Sequence, residues 1–377
     1  MIRAGIYIHI PFCTVRCMYC DFYTTTYEKN SIPKFVNAIV LEIEQCEVDV
    51  SNWIIDTIFF GGGTPSLLDS KSIETIIKAL QKKYNLSNIQ ECTIESNPGQ
   101  LTANGLKAIR DLGINRISIG VQSLEPDLLK FLTRNHSVND VYKTYKLVRK
   151  AGFDNVNIDM LYSIPGQTPE MLKRDLKSII ALEPEHISAY ALTVEKGTEL
   201  HHLVHNLNVI IPQDPDGTTW LSFTSDFLSD NGFHPYEISS FTQPGQECLH
   251  NLHYWRMEPY LAFGPSSNGF DGHRRWRNIR PIEDYLGKIR NGESPIVFTE
   301  ELNYKEILNE KVGFGIRLTE GVDLNKIRQP ELSCLMQNIE SAKQKWPGCF
   351  AQENGTLKLS KKGILFADAL AVDLLIT

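Results

Sequence analysis

Short apolar segments alternate with longer segments of helical periodicity over roughly the first 200 residues, and this alternation constrains the fold strongly. The apolar segments span residues 4–10, 57–60, 92–95, 116–120, 155–160 and 186–190. Between them apolar residues recur at helical spacing, for example at Ile73, Ile76, Ile77 and Leu80. Strands that alternate with helices form parallel sheets. Six such units exceed a compact flavodoxin-like sheet and fall short of a closed eight-fold barrel, so we expect a partial, open TIM-like α/β barrel.

The pattern changes after Pro212, and we expect three regions. Residues 1–232 are predicted to form the barrel core, with its last helix around residues 220–228. Residues 233–300 are rich in Gly, Pro and aromatic residues, and we interpret them as an irregular connecting segment. Residues 301–377 contain three helix-like segments and a hairpin turn at Asn354-Gly355, which indicates a small winged-helix-like α+β domain.

Composition and charge exclude several classes of partner and location. The 377 residues are 42% hydrophobic and carry a formal net charge of -7, so no broad basic surface for nucleic acid is expected. The first ten residues lack the apolar core of a signal peptide, and no apolar run approaches the roughly 18 residues of a membrane span. We therefore expect a cytoplasmic protein without an integral membrane segment.

Three of the eight cysteines are clustered directly after the first predicted strand. Cys13, Cys17 and Cys20 form a CxxxCxxC pattern at the end of the strand where barrels bind ligands. Three thiolates on one loop can hold three irons of a 4Fe-4S cluster and leave the fourth iron open. A structural zinc site is the alternative, but it needs four closed ligands, and neither a second CxxC nor a paired His motif lies nearby. The pattern therefore predicts a 4Fe-4S cluster.

This CxxxCxxC pattern, with Tyr19 before the last cysteine, resembles the signature of the radical-SAM superfamily. In that superfamily S-adenosylmethionine (SAM) chelates the open iron, and an electron from the cluster cleaves it to a 5′-deoxyadenosyl radical. The resemblance implies SAM as a second cofactor and an electron donor for the cluster as a partner.

The segment Phe59-Phe60-Gly61-Gly62-Gly63-Thr64-Pro65 resembles the superfamily's GGE-like motif, which receives the amino group of SAM. The wider resemblance, to the oxygen-independent coproporphyrinogen III oxidase-like family, covers nearly the whole chain from Tyr7. It implies that residues at strand ends bind SAM: Tyr7, Tyr19, Gly62, Gly63, Thr64, Glu95, Gln122, Arg134 and Asp159. The alternative for two of them is that Arg134 and Asp159 only pair with each other. That family also has a second SAM site, which the sequence leaves open here.

Within that family the chain is similar to the heme-chaperone branch, called HemW. Tyr7 lies almost at the start, whereas the coproporphyrinogen dehydrogenases carry a longer extension, and Phe22 stands where they have a fourth cysteine. Residues 250–255 match the HNxxYW pattern to which heme binding is attributed in the chaperones. The resemblance implies a carrier that delivers heme to an acceptor protein. The alternative is an oxygen-independent coproporphyrinogen III dehydrogenase or another radical-SAM enzyme that acts on a tetrapyrrole.

The heme ligand predicted from this resemblance is His250, because imidazole is a common axial ligand of heme iron. His253 would share a helix face with His250, and the thiol of Cys248 is a further rival. The alternative interpretation is structural: Trp255 anchors the loop to the barrel and His250 caps a backbone group.

Overall fold

A computed structural model describes residues 1–26, 28–206, 209–212 and 218–376. Its strands in chain order are β1 (Ile2–Ile10), β2 (Phe12–Cys13), β3 (Thr25–Thr26), β4 (Trp53–Gly62), β5 (Glu91–Ser96), β6 (Arg116–Gln122), β7 (Val156–Tyr162), β8 (His186–Ala191), β9 (His234–Pro235), β10 (Ser240–Thr242), β11 (Tyr260–Phe263), β12 (Asn268–Phe270), β13 (Arg274–Asn278), β14 (Ile296–Glu301), β15 (Val322–Asp323), β16 (Phe350–Glu353) and β17 (Thr356–Leu359).

The helices follow the strands and cover the outside of the sheet. In chain order they are α1 (Ile32–Gln45), α2 (Ser70–Lys83), α3 (Ala103–Asp111), α4 (Pro126–Phe131), α5 (Val138–Lys150), α6 (Pro169–Ile180), α7 (Glu199–His205), α8 (Thr218–Asp230), α9 (Leu249–Trp255), α10 (Ile282–Arg290), α11 (Tyr304–Gly315), α12 (Glu331–Lys345), α13 (Lys361–Ile364) and α14 (Ala367–Asp373). None of the helices in the described part of the chain has both the length and the apolar character needed to cross a bilayer.

One curved sheet of twelve strands organises the molecule, in the order β14-β13-β12-β11-β1-β4-β5-β6-β7-β8-β10-β9. Its centre consists of six parallel strands, which contain all six predicted strands: β1, β4, β5, β6, β7 and β8. The sheet does not close on itself among the described residues. The prediction of a partial, open TIM-like barrel with about six βα units is therefore confirmed.

Local sequence signals explain where the flanking helices begin and which face they bury. The Asp69 side chain accepts a hydrogen bond from the Ser72 backbone and starts α2, whose apolar face of Ile73, Ile76 and Leu80 is buried. Other helices show the same pattern of a polar cap followed by apolar residues that pack on the sheet. This packing holds the carboxyl ends of the parallel strands at one rim of the barrel.

The prediction that residues 233–300 are irregular is wrong. This region contains α9, α10 and six short strands, and β11 extends the sheet by pairing in parallel with β1, for example Leu261 with Ile6. Phe263, Trp276 and Tyr285 belong to the same apolar core as the barrel. Strands of two to six residues give too little periodicity to be recognised, and their partners are distant in the sequence.

The C-terminal region forms a small α+β unit with an apolar core of its own, as predicted. Its three strands pair in the order β15-β17-β16, and Leu335, Ile339 and Leu357 lie at the centre of its core. Asn354 and Gly355 have φ angles of 51° and 78° and form the predicted hairpin turn between β16 and β17. Its helix α11 contacts α9 of the barrel, where Phe314 packs edge-on against Trp255.

Candidate cluster and cofactor site

The carboxyl ends of the parallel strands open into a cavity of about 1120 Å³. The barrel side of its wall contains most of the residues predicted to bind cofactors: Cys13, Cys17, Tyr19, Cys20, Gly62, Gly63, Thr64, Glu95, Gln122, Arg134 and Asp159. Arg317 and residues 364–369 of the C-terminal region line the cavity as well. Of the predicted site residues, Tyr7 and His250 are the two that this wall does not include.

The cysteine loop leaves β1 and is fixed to the barrel by backbone hydrogen bonds. Within the loop the Cys20 N–H donates to the Cys17 carbonyl at 3.1 Å. The Met18 N–H donates to Thr133 Oγ1 at 2.9 Å, and the Met18 carbonyl accepts from the Leu200 N–H at 2.9 Å. These bonds hold the three half-buried thiols on one turn that faces one cavity.

Gly63 permits close contact between the strand end and the cysteine loop. A Cβ atom at this position would lie 2.7 Å from the Phe12 carbonyl oxygen and 3.0 Å from Cys13 Sγ. The preceding Gly62 has a φ angle of 112°, which side-chain-bearing residues rarely adopt. The glycine-rich segment is therefore required by local geometry, beside any role in ligand binding.

Burial favours the neutral thiol at Cys13 and Cys20. Burial raises the pKa of Cys13, and it raises the pKa of Cys20 to about 11. Iron binding replaces these protons, because thiolates are the ligands. Among the described residues no three His, Cys, Asp or Glu side chains are close enough to hold a single metal ion. A 4Fe-4S cluster places each cysteine on a different iron, so the thiols need not converge on one point.

Arg134 connects the cysteine loop to the strand ends. Its Nη1 donates to Cys17 Sγ at 3.4 Å, while Nη2 donates to the Gly120 carbonyl at 2.6 Å and to Asn97. Asn97 in turn donates to Thr64 Oγ1 at 3.1 Å, and Thr64 contacts Cys13. Asn97 was not predicted as a site residue, although its position directly after strand β5 was a usable signal.

Asp159 and Arg134 do not pair with each other. Asp159 accepts hydrogen bonds from Ser118 Oγ and from Asn157 Nδ2, each at 2.7 Å. The alternative that these two residues form only a mutual ion pair is therefore wrong. Both remain in the wall of the cavity, where each can contact a ligand.

Glu95 is the one glutamate among the residues predicted to bind SAM. Its Oε2 accepts a hydrogen bond from the Gly62 N–H at 3.0 Å, which links it to the glycine-rich segment. Burial, with the negative charge of Asp159 beside it, raises the pKa of Glu95 to about 8. An ammonium group placed next to this carboxyl would favour its ionised form. The site thus fits a cationic amine at this position.

A second, smaller cavity of about 200 Å³ lies inside the barrel and shares Glu95, Ser118, Asp159 and Tyr190 with the first. Tyr7 lines this inner cavity, and its hydroxyl is hydrogen-bonded to His9 Nδ1 at 3.1 Å. The structure therefore places Tyr7 one layer below the other residues predicted to bind SAM.

His250 also lines the inner cavity, and the side chain is fully buried. Its Nδ1 is hydrogen-bonded to Thr57 Oγ1 at 2.8 Å and its Nε2 to the Tyr254 hydroxyl at 2.9 Å. The ring also stacks on Phe59, with the centroids 5.1 Å apart. Ligation of heme by His250 stays a prediction, and in this arrangement it requires one of the two hydrogen bonds to break.

The rival ligands are equally engaged. His253 lies between the carboxylates of Asp56 and Glu258, at 2.8 Å and 2.6 Å. Cys248 is buried and contacts Glu91 Oε1 at 3.4 Å. All three candidate heme ligands, His250, His253 and Cys248, therefore have a partner within the protein.

Comparison with known proteins agrees with this geometry. Residues 7–179 match the family model described as Radical SAM superfamily. The chain is 32% identical to the heme chaperone HemW of Bacillus subtilis over 86% of each chain. It is 34% identical to the HemW of Lactococcus lactis, over 88% of this chain and 86% of the relative. Its fold is similar to that of the coproporphyrinogen III oxidase HemN from Escherichia coli, with a TM-score of 0.84, 20% identity and coverage of 99% and 90%.

The open barrel and its three-cysteine loop define a protein of the radical-SAM class, with a 4Fe-4S cluster and SAM as cofactors. The residues present fit both groups, since three thiols and a buried acid face one cavity beside a glycine-rich strand end. Within that class the chain belongs to the HemW heme-chaperone family.

Proposed function

We propose that this chain is a heme chaperone that binds heme beside a 4Fe-4S cluster and SAM and delivers the heme to an acceptor protein. The observation that carries the proposal is the cavity of about 1120 Å³, with the three cysteines in one wall and residues 364–369 in another. A cavity of this size accommodates a ligand larger than most drug-like molecules. We further propose that the protein works in the cytoplasm and takes electrons from a separate donor protein.

Each predicted cofactor residue has a role that follows from its position. Cys13, Cys17 and Cys20 hold the cluster, and Arg134 places a positive charge beside Cys17. The bound cluster and SAM together supply radical chemistry. Glu95, fixed by the Gly62 amide, receives the SAM amino group.

The remaining residues of this wall complete the SAM site. Gly63 and Thr64 form the wall next to Cys13, while Gln122, Asp159 and Tyr19 supply polar contacts around the same cavity. Tyr7 supports this wall from the inner cavity, through its place between His9 and Phe59.

The proposal is tested by anaerobic reconstitution of the full chain with iron and sulfide, followed by titration with hemin. We expect saturable heme binding and transfer of the heme to apomyoglobin, used as a generic acceptor. Incubation with SAM, a reductant and coproporphyrinogen III should yield no protoporphyrinogen. Multiple turnovers to protoporphyrinogen would instead establish the dehydrogenase alternative, and absence of saturable hemin binding would reject the carrier.

A further inference from the structure

The chain has ten histidines, and they differ in whether one ring nitrogen has an unused lone pair that could bind a metal. Heme iron commonly takes a neutral imidazole, which binds through the nitrogen that carries no proton. A histidine can serve in this way only where one ring nitrogen keeps an unused lone pair and faces a space large enough for a porphyrin.

Four buried histidines fail this requirement because both of their ring nitrogens are engaged. His9 is bonded to Tyr7 and to the Tyr23 carbonyl, and His186 to Asn157 and Tyr236. His250 is bonded to Thr57 and Tyr254, and His253 to Asp56 and Glu258. The inner cavity beside His250, at about 200 Å³, is also smaller than the roughly 300–1,000 Å³ that drug-sized ligands occupy.

Five other histidines fail for a different reason, which is that they lie outside the large cavity. His201 and His205 on α7 are hydrogen-bonded to each other at 2.9 Å, and His202, His234 and His273 are at the surface. None of these five is part of the described wall of the large cavity.

His136 meets both conditions. It is the only histidine among the described residues that line the cavity of about 1120 Å³. Its Nε2 lies 3.2 Å from the Val121 carbonyl oxygen, and because a carbonyl only accepts, the ring proton is on Nε2. Nδ1 then carries the lone pair, and no described residue forms a hydrogen bond with it.

This arrangement matches the way proteins prepare a histidine for metal binding. Ligating histidines donate their other ring N–H to a carbonyl or carboxylate, which fixes the tautomer and raises ligand basicity. Burial, together with the positive charge of Arg134, lowers the pKa of His136 to about 4. The imidazole is therefore neutral over the physiological pH range, and protons do not compete for Nδ1.

The cavity beside His136 has the other features that heme needs. Leu365, Phe366 and Ala367 contribute apolar side chains to its wall. Arg16 and Arg317 line the same cavity and can pair with the propionate groups. We propose that His136 is the axial ligand of heme in the large cavity, a proposal that rests on the heme-carrier function above.

The test is a hemin titration of the full chain with its oxidised cluster, followed through the Soret band and the electron paramagnetic resonance of ferric heme. The variants are His136→Gln, which keeps an amide donor for the Val121 carbonyl, and His250→Gln. His273→Gln is the matched control, because His273 is exposed and outside the cavity. We expect His136→Gln to lose the histidine-ligand spectrum and to bind hemin more weakly than the wild type. The other two should keep the wild-type spectrum.

A second variant keeps the inference testable if the glutamine side chain itself binds iron. In His136→Gly, added imidazole should restore the wild-type spectrum. Wild-type spectrum and affinity in His136→Gln, with normal iron content, would overturn the inference, and their loss in His250→Gln alone would return the role to His250. Absence of hemin binding in the wild type would reject the carrier function itself, which is a different result.

Discussion

The two ends of the barrel differ in how completely their polar side chains are hydrogen-bonded. At the amino end Asp56 accepts from Arg3 and contacts His253, which also contacts Glu258, so each charge has a partner. At the carboxyl end Glu95 Oε1 and His136 Nδ1 have no hydrogen-bond partner among the described residues. Both side chains are half-buried and line a cavity, so these open atoms are available to a ligand. The polar groups at the amino end therefore stabilise the barrel, whereas those at the carboxyl end are available for ligand binding.

The largest effect should come from the three cysteines at the carboxyl end, because they are the predicted ligands of the cluster. Replacing Cys13, Cys17 or Cys20 with Ala should abolish the cluster, since each holds a separate iron. Iron analysis and the cluster absorption after reconstitution measure this. Cys334→Ala is the control, because Cys334 is an exposed cysteine in the C-terminal region, and it should keep the full iron content. A Cys17→Ala chain that still takes up four irons would contradict the assignment.

The next largest effect is expected at the amino end of the barrel, where the charged groups are paired. Asp56→Asn removes a buried carboxylate from between two cationic partners, and breaking such a network costs about 3 kcal/mol or more. We expect a lower urea midpoint, measured by circular dichroism, with the cluster still reconstituting. Asp111→Asn, in an exposed pair with Lys107, should change little. Equal midpoints for Asp56→Asn and the wild type would show that the network does not hold the barrel.

A smaller effect is expected at Glu95, which both accepts a hydrogen bond within the barrel and is proposed to bind SAM. Glu95→Gln removes the charge offered to the SAM amino group, and a charged hydrogen bond contributes roughly 1.5–3 kcal/mol. SAM affinity, measured anaerobically by equilibrium dialysis, should fall about tenfold or more. Glu353→Gln, an exposed change on β16, should leave it unchanged. Unchanged affinity in Glu95→Gln would remove this residue from the site.

The smallest effect is a pH dependence at the amino end. Burial lowers the pKa of His253, but the hydrogen bonds and charges of Asp56 and Glu258 outweigh it and raise the pKa above its usual value. The folded state thus binds this proton more tightly than the unfolded state. The stabilisation is complete below the unfolded pKa, near 6.5, and is lost as the pH rises through the folded pKa. Urea midpoints of wild type should therefore fall more steeply above neutral pH than those of His253→Gln, and parallel curves would contradict this.

The parts of the fold that could be predicted are those whose signals are local. The six central strands are short apolar runs between helical periods, and the cysteine loop follows the first of them directly. The strand β11 has four residues and pairs with β1 from the far end of the barrel sequence. No local pattern reveals that pairing, so the sequence alone predicts an irregular region there.

The shared rim of the strand ends was predictable for the same reason, whereas contacts between residues distant in the sequence were not. Residues at strand ends, such as Glu95 and Gln122, share a rim because parallel strands end together. The surroundings of His250 on α9 depend on Thr57 of β4, and the sequence does not show that contact. His136 lies two residues after the predicted Arg134, but its open nitrogen depends on Val121 and on the shape of the cavity.

The position of β1 at the centre of the sheet has a consequence for synthesis of the chain. This strand is made before the other strands of the sheet, yet one of its edges stays unpaired until Tyr260–Phe263 has been made. An open strand edge invites pairing with other chains. Because the cysteine loop continues directly from this strand, the thiols are presented before the sheet around them is complete. Cluster insertion before and after synthesis of β11 therefore meets two different sheets, one with an unpaired edge at β1 and one in which β11 covers that edge.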